Sequence, residues 1–261
     1  MAEFTPADPS ASPVLYLRFD ATSEPEAWRS ASFDDSAWNN AAPIDSIWGP
    51  LAASEIPPRM EAIFRPLEES AVTLSSGQAQ AVRFDRVLSA YLGFKLRGAA
   101  GAVLFIQPNE LDRPGFNRMS AVVLRDGVTF YELPFMDSLS TVNLTVTNTA
   151  APVEIEDIRA CFVSYPVTYR GSFESSDPEL NRIWQASRWA TQMCMQTRHL
   201  DSPDHQEPIS DFGDYLIEAA ENDYAFGERW LARQDLRKFA GILKNSGYLN
   251  FHTSYSLLWL Q

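Results

Sequence analysis

The sequence is poor in cysteine and histidine, with two and three residues of these types among 261. Two cysteines cannot build the framework of several disulfides that stabilises small secreted domains. Cys161 falls in a strand-like run and Cys194 in a helix-like run. One bridge between them is open, but free buried thiols are the favoured prediction. No zinc signature of the His-Glu-x-x-His type is present.

Long apolar runs are also missing. No stretch approaches the roughly 20 residues that a helix needs to cross a bilayer. The first six residues, Met-Ala-Glu-Phe-Thr-Pro, lack the apolar core of a signal peptide. We therefore expect no membrane partner. The compartment stays open, because the protein is cytoplasmic if this N-terminus is native and secreted or periplasmic if an export signal was removed.

Positive charge is scarce, since 21 Lys and Arg residues stand against 34 Asp and Glu residues and give a formal net charge of -13. Such a chain repels the phosphates of nucleic acids, so a nucleic-acid partner is not expected. A neutral partner such as a sugar is compatible with this charge. Hydrophobic residues make up 45% of the chain, enough for the core of one large or two ordinary domains.

The residue pattern changes along the chain. Residues 1–13 are rich in Pro, Ala and Ser and predict a disordered lead-in. Residues 14–168 predict an antiparallel β-sandwich domain, in which residues 14–60 supply the N-terminal strands and loops. From about residue 71, short β-type runs alternate with turn residues, which is the pattern of such a sandwich. Trp28 and Trp38 are expected in its core.

From residue 169 onward the spacing of apolar residues is helical. Ser176 and Glu179, with Pro178 between them, predict a capping box at the start of a first helix. A second helix is predicted near Asp214, and a third from about residue 228 to residue 244, ended by Gly247. Residues 254–261 predict the start of a fourth helix. We expect residues 169–261 to be the truncated beginning of a longer helical domain.

The connection between the first two predicted helices is the richest in chemistry. It contains five carboxylates, Asp201, Asp204, Glu207, Asp211 and Asp214. Pro203 and Pro208 force the residues before them into extended conformations, so this acidic loop (residues 201–214) is expected to be rigid. Crowded carboxylates raise one another's pKa, and a carboxyl that stays protonated can act as a general acid.

Two other interpretations of the acidic loop remain open. It can be a solvated loop that caps the second helix through Asp211 or Asp214, where the helix dipole favours negative charge. It can also be a metal site built from Asp201, Asp204, His205 and Glu207. The spacing does not match a calcium-binding EF-hand, so we expect no metal and no cofactor.

The first helix and the loop together resemble the α-L-rhamnosidases, of the glycoside hydrolase family 78 type. In that family a Gly-x-Phe-x-x-Ser-Asp…Leu-Asn-x-Ile-Trp stretch precedes a loop of the form Asp-Cys-Pro-x-Arg-x-Glu-Arg-x-Gly-Trp-x-Gly-Asp. Residues 171–184 are similar to the first stretch. The loop keeps Asp201, Pro203, Glu207, Gly213 and Asp214 in register. The resemblance implies a multidomain protein with an antiparallel β-sandwich followed by the first helices of an incomplete (α/α)6 six-hairpin barrel.

The resemblance also implies an activity and residue roles. It implies an inverting glycoside hydrolase that releases terminal L-rhamnose or a related sugar. Glu207 matches the general acid, and Asp201 and Asp214 match acids that bind sugar hydroxyls. The general base of the family lies beyond Gln261, so the chain alone is expected to be inactive. The expected partners are a carbohydrate substrate and either a second chain or the missing C-terminal part, which would complete the barrel.

The chain departs from the family pattern within the loop. His205 and Pro208 stand where arginine is usual, Asp211 where tryptophan is usual, and Ser202 where cysteine is usual. His205 and Asp211 are therefore added to Asp201 and Asp214 as substrate-binding candidates, and the sugar is expected to differ from an ordinary α-L-rhamnoside. The alternative function is a non-catalytic carbohydrate-binding or structural module.

Overall fold

The computed structural model describes residues 16–25, 27–44, 49–68, 71–111, 119–204 and 214–247. Among these residues, a β-rich part comes first and three helices follow it. The predicted lead-in at residues 1–13 and the predicted fourth helix at residues 254–261 lie outside the described residues.

Within the described residues, nine strands form one sheet. They are β1 (Tyr16–Asp20), β2 (Met60–Phe64), β3 (Val72–Leu74), β4 (Ala79–Gly98), β5 (Val103–Asn109), β6 (Met119–Val123), β7 (Gly127–Glu132), β8 (Asp137–Thr147) and β9 (Val153–Ser164). Their order is β1-β6-β5-β8-β4-β9-β2, while β3 also pairs with β9 and β7 with β4. The predicted strand character of residues 71–168 is thus confirmed.

The sheet is mixed, which corrects the prediction of a purely antiparallel one. β1 runs parallel to β6, with Tyr16 opposite Met119 and Asp20 opposite Val123. The other strand pairs that the structure describes are antiparallel. Tight turns force consecutive strands to be antiparallel, but the long connection of residues 21–59 leaves the direction of β1 free. The sequence pattern could not reveal this pairing.

The described aromatic residues between β1 and β2 do not build a core. The described residues of this connection form turns and a short 3-10 helix, Ala21–Ser23, rather than strands. Trp28 and Trp38 are 40% and 53% exposed, so the expectation that they are core residues was wrong. Phe33 and Trp38 instead pack on each other at the surface, with ring centroids 5.3 Å apart.

The main core lies within the β-rich part and follows the two-residue period of its strands. On β4, Leu88, Ala90, Leu92, Phe94 and Leu96 occupy alternate positions, and each is at most 1% exposed. Side chains of β5, β8 and β9 complete the same cluster. This alternation puts one set of side chains on the buried face of each strand.

Three helices follow, α1 (Pro178–Cys194), α2 (Asp214–Ala225) and α3 (Trp230–Ser246). α1 is capped by Asp177, whose side chain accepts a hydrogen bond from the Glu179 amide at 2.8 Å. The prediction of Ser176 as the cap was therefore wrong by one residue. Gly247 ends α3 in the left-handed region, at a φ of 78°, as predicted. None of the described helices is long and apolar enough to cross a membrane.

α1 is anchored on the sheet near its C-terminal end. The Trp189 ring stacks on Phe162 of β9 with a centroid distance of 4.9 Å, and its indole N–H donates to the Val87 carbonyl at 2.7 Å. The opposite end of α1 is exposed, since Leu180 and Ile183 retain 45% and 53% of their accessible surface. The sheet therefore fixes the end of α1 that leads into the acidic loop.

We predict that Phe94→Ala lowers the free energy of unfolding by about 3–5 kcal/mol, because it removes a fully buried ring from the core. Phe130→Ala is the matched control, since Phe130 lies on the neighbouring β7 and is 66% exposed. It should cost less than about 0.5 kcal/mol. Urea unfolding followed by circular dichroism measures both changes, and equal losses would contradict this description of the core.

Candidate active site at the start of the acidic loop

The structure describes part of the predicted site. Asp201 is described with an exposed side chain, and Asp214 is the first residue of α2, where the second helix was predicted to begin. Glu207, His205 and Asp211 lie outside the described residues. The structure therefore defines the two ends of the acidic loop and the elements that hold those ends.

A tight turn, residues 195–200, leads from α1 to Asp201. The Gln196 amide donates to the Arg198 carbonyl at 3.0 Å, and the Leu200 amide donates to the Cys194 carbonyl at 2.9 Å. Met195 and His199 form an isolated antiparallel bridge across the turn. These backbone bonds close the 195–200 turn on itself and bring Asp201 back beside the end of α1.

The sheet holds one side of the 195–200 turn. The side chain of Gln196 is buried, and its amide nitrogen Nε2 donates a hydrogen bond to the Val163 carbonyl of β9 at 2.9 Å. The Oε1 atom of the same side chain accepts a hydrogen bond from Arg59 at 3.2 Å. Leu200 packs with Met136 and Val163 in a small buried cluster. The turn is therefore attached to the end of β9 by both polar and apolar contacts.

The helices hold the other side of the 195–200 turn. His199 and Asp235 of α3 are both fully buried, and His199 Nδ1 lies 2.8 Å from Asp235 Oδ2. Asn222 of α2 places its amide nitrogen 3.5 Å from His199 Nε2. Gln234 of α3 donates to the Thr197 carbonyl at 2.7 Å. Side chains of α2 and α3 thus hold the residues immediately before Asp201 in place.

Sequence reasoning missed this buried group, although one signal was present. Asp235 lies four residues after Leu231 and four before Phe239, and these two apolar residues are 0% and 3% exposed. A charged residue in the middle of a buried helical stripe is unusual, because burial of an ionisable group needs a partner. The partner, His199, is 36 residues away in sequence, and no local pattern identifies it.

Carboxylates converge on Cys194 at the start of the loop. The Cys194 sulfur lies 3.9 Å from the Asp201 carbonyl oxygen. Burial raises the pKa of the Cys194 thiol well above its usual range, and the negative charges of Glu218, Asp201, Glu221 and Glu110 raise it further. These acids come from α2, the acidic loop and the end of β5. Four acidic side chains thus act on the same buried thiol at the described end of the site.

This arrangement suits a neutral, hydroxyl-rich ligand. Asp201 is an exposed carboxylate on a well-anchored turn, and carboxylates form strong hydrogen bonds with hydroxyl donors. Closely spaced negative charges keep a neighbouring carboxyl protonated to a higher pH. Among the described residues, no group of three or more His, Cys, Asp or Glu side chains is arranged to hold a metal ion.

The C-terminal part of the chain matches a known family. Residues 168–253 match the model of the bacterial alpha-L-rhamnosidase 6 hairpin glycosidase domain. The matched span contains the three helices, the 195–200 turn and the whole acidic loop. No curated protein matches the chain.

Solved structures of rhamnosidases share the fold of the chain. The Dictyoglumus thermophilum α-L-rhamnosidase superposes with a TM-score of 0.71 at 20% identity, over 89% of this chain and 27% of its own. A GH78 family rhamnosidase of Bacillus sp. GL1 gives a TM-score of 0.65 at 24% identity, over 74% of this chain and 22% of its own. The Streptomyces avermitilis α-L-rhamnosidase complexed with L-rhamnose gives a TM-score of 0.67 at 17% identity, over 88% of this chain and 23% of its own. The chain thus spans about a quarter of the length of these relatives.

We predict that Cys194 reacts with iodoacetamide more slowly than Cys161 in the folded chain at pH 8. Both cysteines are free, and burial raises both pKa values, but Cys161 is only half-buried. A raised thiol pKa lowers the fraction of reactive thiolate at a given pH. Mass spectrometry of the peptides measures the two rates, and they should become equal in guanidinium chloride. Faster labelling of Cys194 in the folded chain would contradict the buried, acidic environment.

Proposed function

The chain is α-L-rhamnosidase-like, and on this premise we propose that it is part of a glycoside hydrolase that releases terminal L-rhamnose or a related sugar. The observation that carries the proposal is that the family match contains the acidic loop, whose first carboxylate stands on the anchored 195–200 turn. A sugar can reach Asp201 there, since that side chain is exposed.

The proposed reaction is hydrolysis with inversion. Glu207 protonates the glycosidic oxygen of the leaving group, while a general base beyond Gln261 activates a water molecule on the opposite face of the sugar. In such enzymes the two carboxyl groups are about 6.5–9.5 Å apart, which leaves room for the water. Four other carboxylates lie within the same short loop, and neighbouring negative charges favour a protonated carboxyl, as a general acid requires.

Asp201 and Asp214 bind sugar hydroxyls in this proposal. They stand at the two ends of the acidic loop, and both ends are attached to structured elements, the 195–200 turn and α2. His205 and Asp211 contact the substrate between them. These two residues replace the arginine and tryptophan usual in the family, so they are the positions at which the choice of sugar would differ.

We further propose that the sheet folds as a β-sandwich and that the three helices begin an (α/α)6 barrel. The C-terminal part of a longer protein, or a second chain, completes that barrel. The relatives are longer, since this chain covers 22–27% of the three compared above. Apolar side chains of all three helices are also exposed, namely Leu180, Ile183, Ile217, Tyr224, Trp230, Leu236 and Ile242. Further helices packed on these residues would bury them.

A second candidate function is a non-catalytic carbohydrate-binding or structural module. The observation in its favour is the replacement of the loop residues that accompany the acid in the family, at His205, Pro208 and Asp211. Such a module would bind sugar without turnover. The two functions differ in whether Glu207 is needed for chemistry.

We predict that Glu207→Gln in the full natural protein lowers kcat on an α-L-rhamnoside with a poor leaving group by about 10²–10⁴-fold and leaves sugar binding nearly unchanged. The amide retains the shape of the side chain but cannot protonate the leaving oxygen. Steady-state kinetics and calorimetric titration with L-rhamnose measure the two effects.

Glu179→Gln is the matched control, since it makes the same chemical change in the first turn of α1. At 1.5 Å per residue this position is roughly 20 Å from the end of the helix that leads into the loop. Its kcat should equal that of the wild type. Near-normal turnover by Glu207→Gln would refute the acid role, and sugar binding without any wild-type turnover would favour the second candidate.

We also predict that the 261-residue chain alone is inactive and associates in solution. Exposed apolar helix faces drive association when the helices that cover them are absent. Light scattering of the chain should show species larger than a monomer. Addition of the C-terminal part should replace these species by a one-to-one complex and restore activity. A monodisperse, fully active monomer of 261 residues would contradict the incomplete-barrel proposal.

A further inference from the structure

The His199 and Asp235 pair is buried at high cost and takes no part in the proposed chemistry. Both side chains are 0% exposed. A buried ionisable pair adds little net stability, because each group loses its hydration. Removal of only one partner is nevertheless costly, since the other is left buried and unpaired. A role in fixing geometry would account for keeping such a pair here.

The pair touches the chain at the point where the acidic loop begins. Asp235 Oδ2 is 2.8 Å from His199 Nδ1 and also accepts the backbone N–H of His199 at 3.2 Å. One carboxylate oxygen therefore fixes both the ring and the peptide plane of His199. Asp201 is only two residues further on, so the orientation of this peptide sets the direction in which the loop leaves the turn.

His199 also links the two ends of the acidic loop. Nδ1 of His199 faces Asp235, and on the other side of the ring Nε2 lies 3.5 Å from the side-chain nitrogen of Asn222. Asn222 belongs to α2, whose first residue is Asp214. The ring thus stands between the element that carries Asp201 and the helix that begins with Asp214.

We propose that His199 and Asp235 are positioning residues that fix the start of the acidic loop, at Asp201, relative to α2, which begins where the loop ends. This inference rests on the glycoside hydrolase function proposed above. Neither side chain touches the substrate. They act through Asp201 and through α2, and small displacements of catalytic groups are costly because the reacting atoms must be closely aligned.

The test uses three substitutions in the full natural protein, His199→Ala, His199→Asn and Asp235→Asn. His199→Ala should lower kcat on an α-L-rhamnoside by about 10- to 100-fold, with a smaller change in KM. His199→Asn keeps a donor close to the position of Nδ1, so it should recover most of the lost kcat. Asp235→Asn replaces one acceptor oxygen by a donor and should behave like His199→Ala.

Leu104→Ala is the control for general destabilisation, because Leu104 is fully buried in the main core on β5. All variants are assayed well below their melting temperatures. Leu104→Ala should lower the melting temperature and leave kcat unchanged. If the His199 variants lose stability but keep wild-type kcat, or if His199→Asn is no better than His199→Ala, the positioning role is overturned.

Amide hydrogen exchange separates this inference from the proposed function. In His199→Ala the amides of residues 200–202 and 204 should exchange faster than in the wild type, while the amides of β4 keep their protection. A wild-type protein without turnover of α-L-rhamnosides or of glycosides of related sugars would refute the proposed function, and this local exchange would then decide the positioning role alone. Unchanged exchange at residues 200–202 and 204 would overturn it.

Discussion

One backbone hydrogen bond joins the end of the sheet to the end of the first helix, and the position of the acidic loop depends on it. The Tyr165 amide, directly after β9, donates to the Met195 carbonyl at 2.6 Å. Both residues are at most 1% exposed and pack with Phe226 and Leu231 of the helical part. Water cannot compete for a bond buried among apolar side chains, and its loss would leave two unpaired polar groups. The β-rich part therefore acts as the platform on which the 195–200 turn is built.

The electrostatics of the site follow from this placement. The turn brings Asp201 beside Cys194, where Glu218 and Glu221 of α2 and Glu110 of the sheet also act on the thiol. Like charges raise the energy of the folded chain, so a cluster of this kind is tolerated only where solvent or a ligand compensates it. A neutral polyol can donate hydrogen bonds from its hydroxyl groups to several carboxylates without adding charge. The overall charge of -13 points the same way, since it disfavours anionic ligands.

Local features of the fold could be predicted from the sequence, and long-range ones could not. Helix ends depend on a few adjacent residues, so the start of α2 at Asp214 and the end of α3 at Gly247 were read correctly. The cap of α1 was misplaced by one residue, because Ser176 and Asp177 are both good caps and their energies differ little. The parallel pairing of β1 and the bond between His199 and Asp235 depend on chain segments far apart in sequence. The proposed roles of the loop residues come from the resemblance alone, and the structure shows what holds the turn before Asp201.

The placement of polar and apolar residues along α1 relates its stability to the proposed function. α1 exposes Leu180 and Ile183 at its start and buries Thr191 and Gln192 at its end. An isolated amphipathic helix on a sheet would do the opposite, since burial of apolar surface is what stabilises it. The polar residues are buried where the helix meets the 195–200 turn, and there their hydrogen bonds fix the geometry of the loop. Met193 and Cys194 are buried at the same end, whereas Leu180 and Ile183 at the other end are exposed. The geometry at the start of the acidic loop is thus set where α1 meets the sheet and the other two described helices, and not at the exposed first turns of α1.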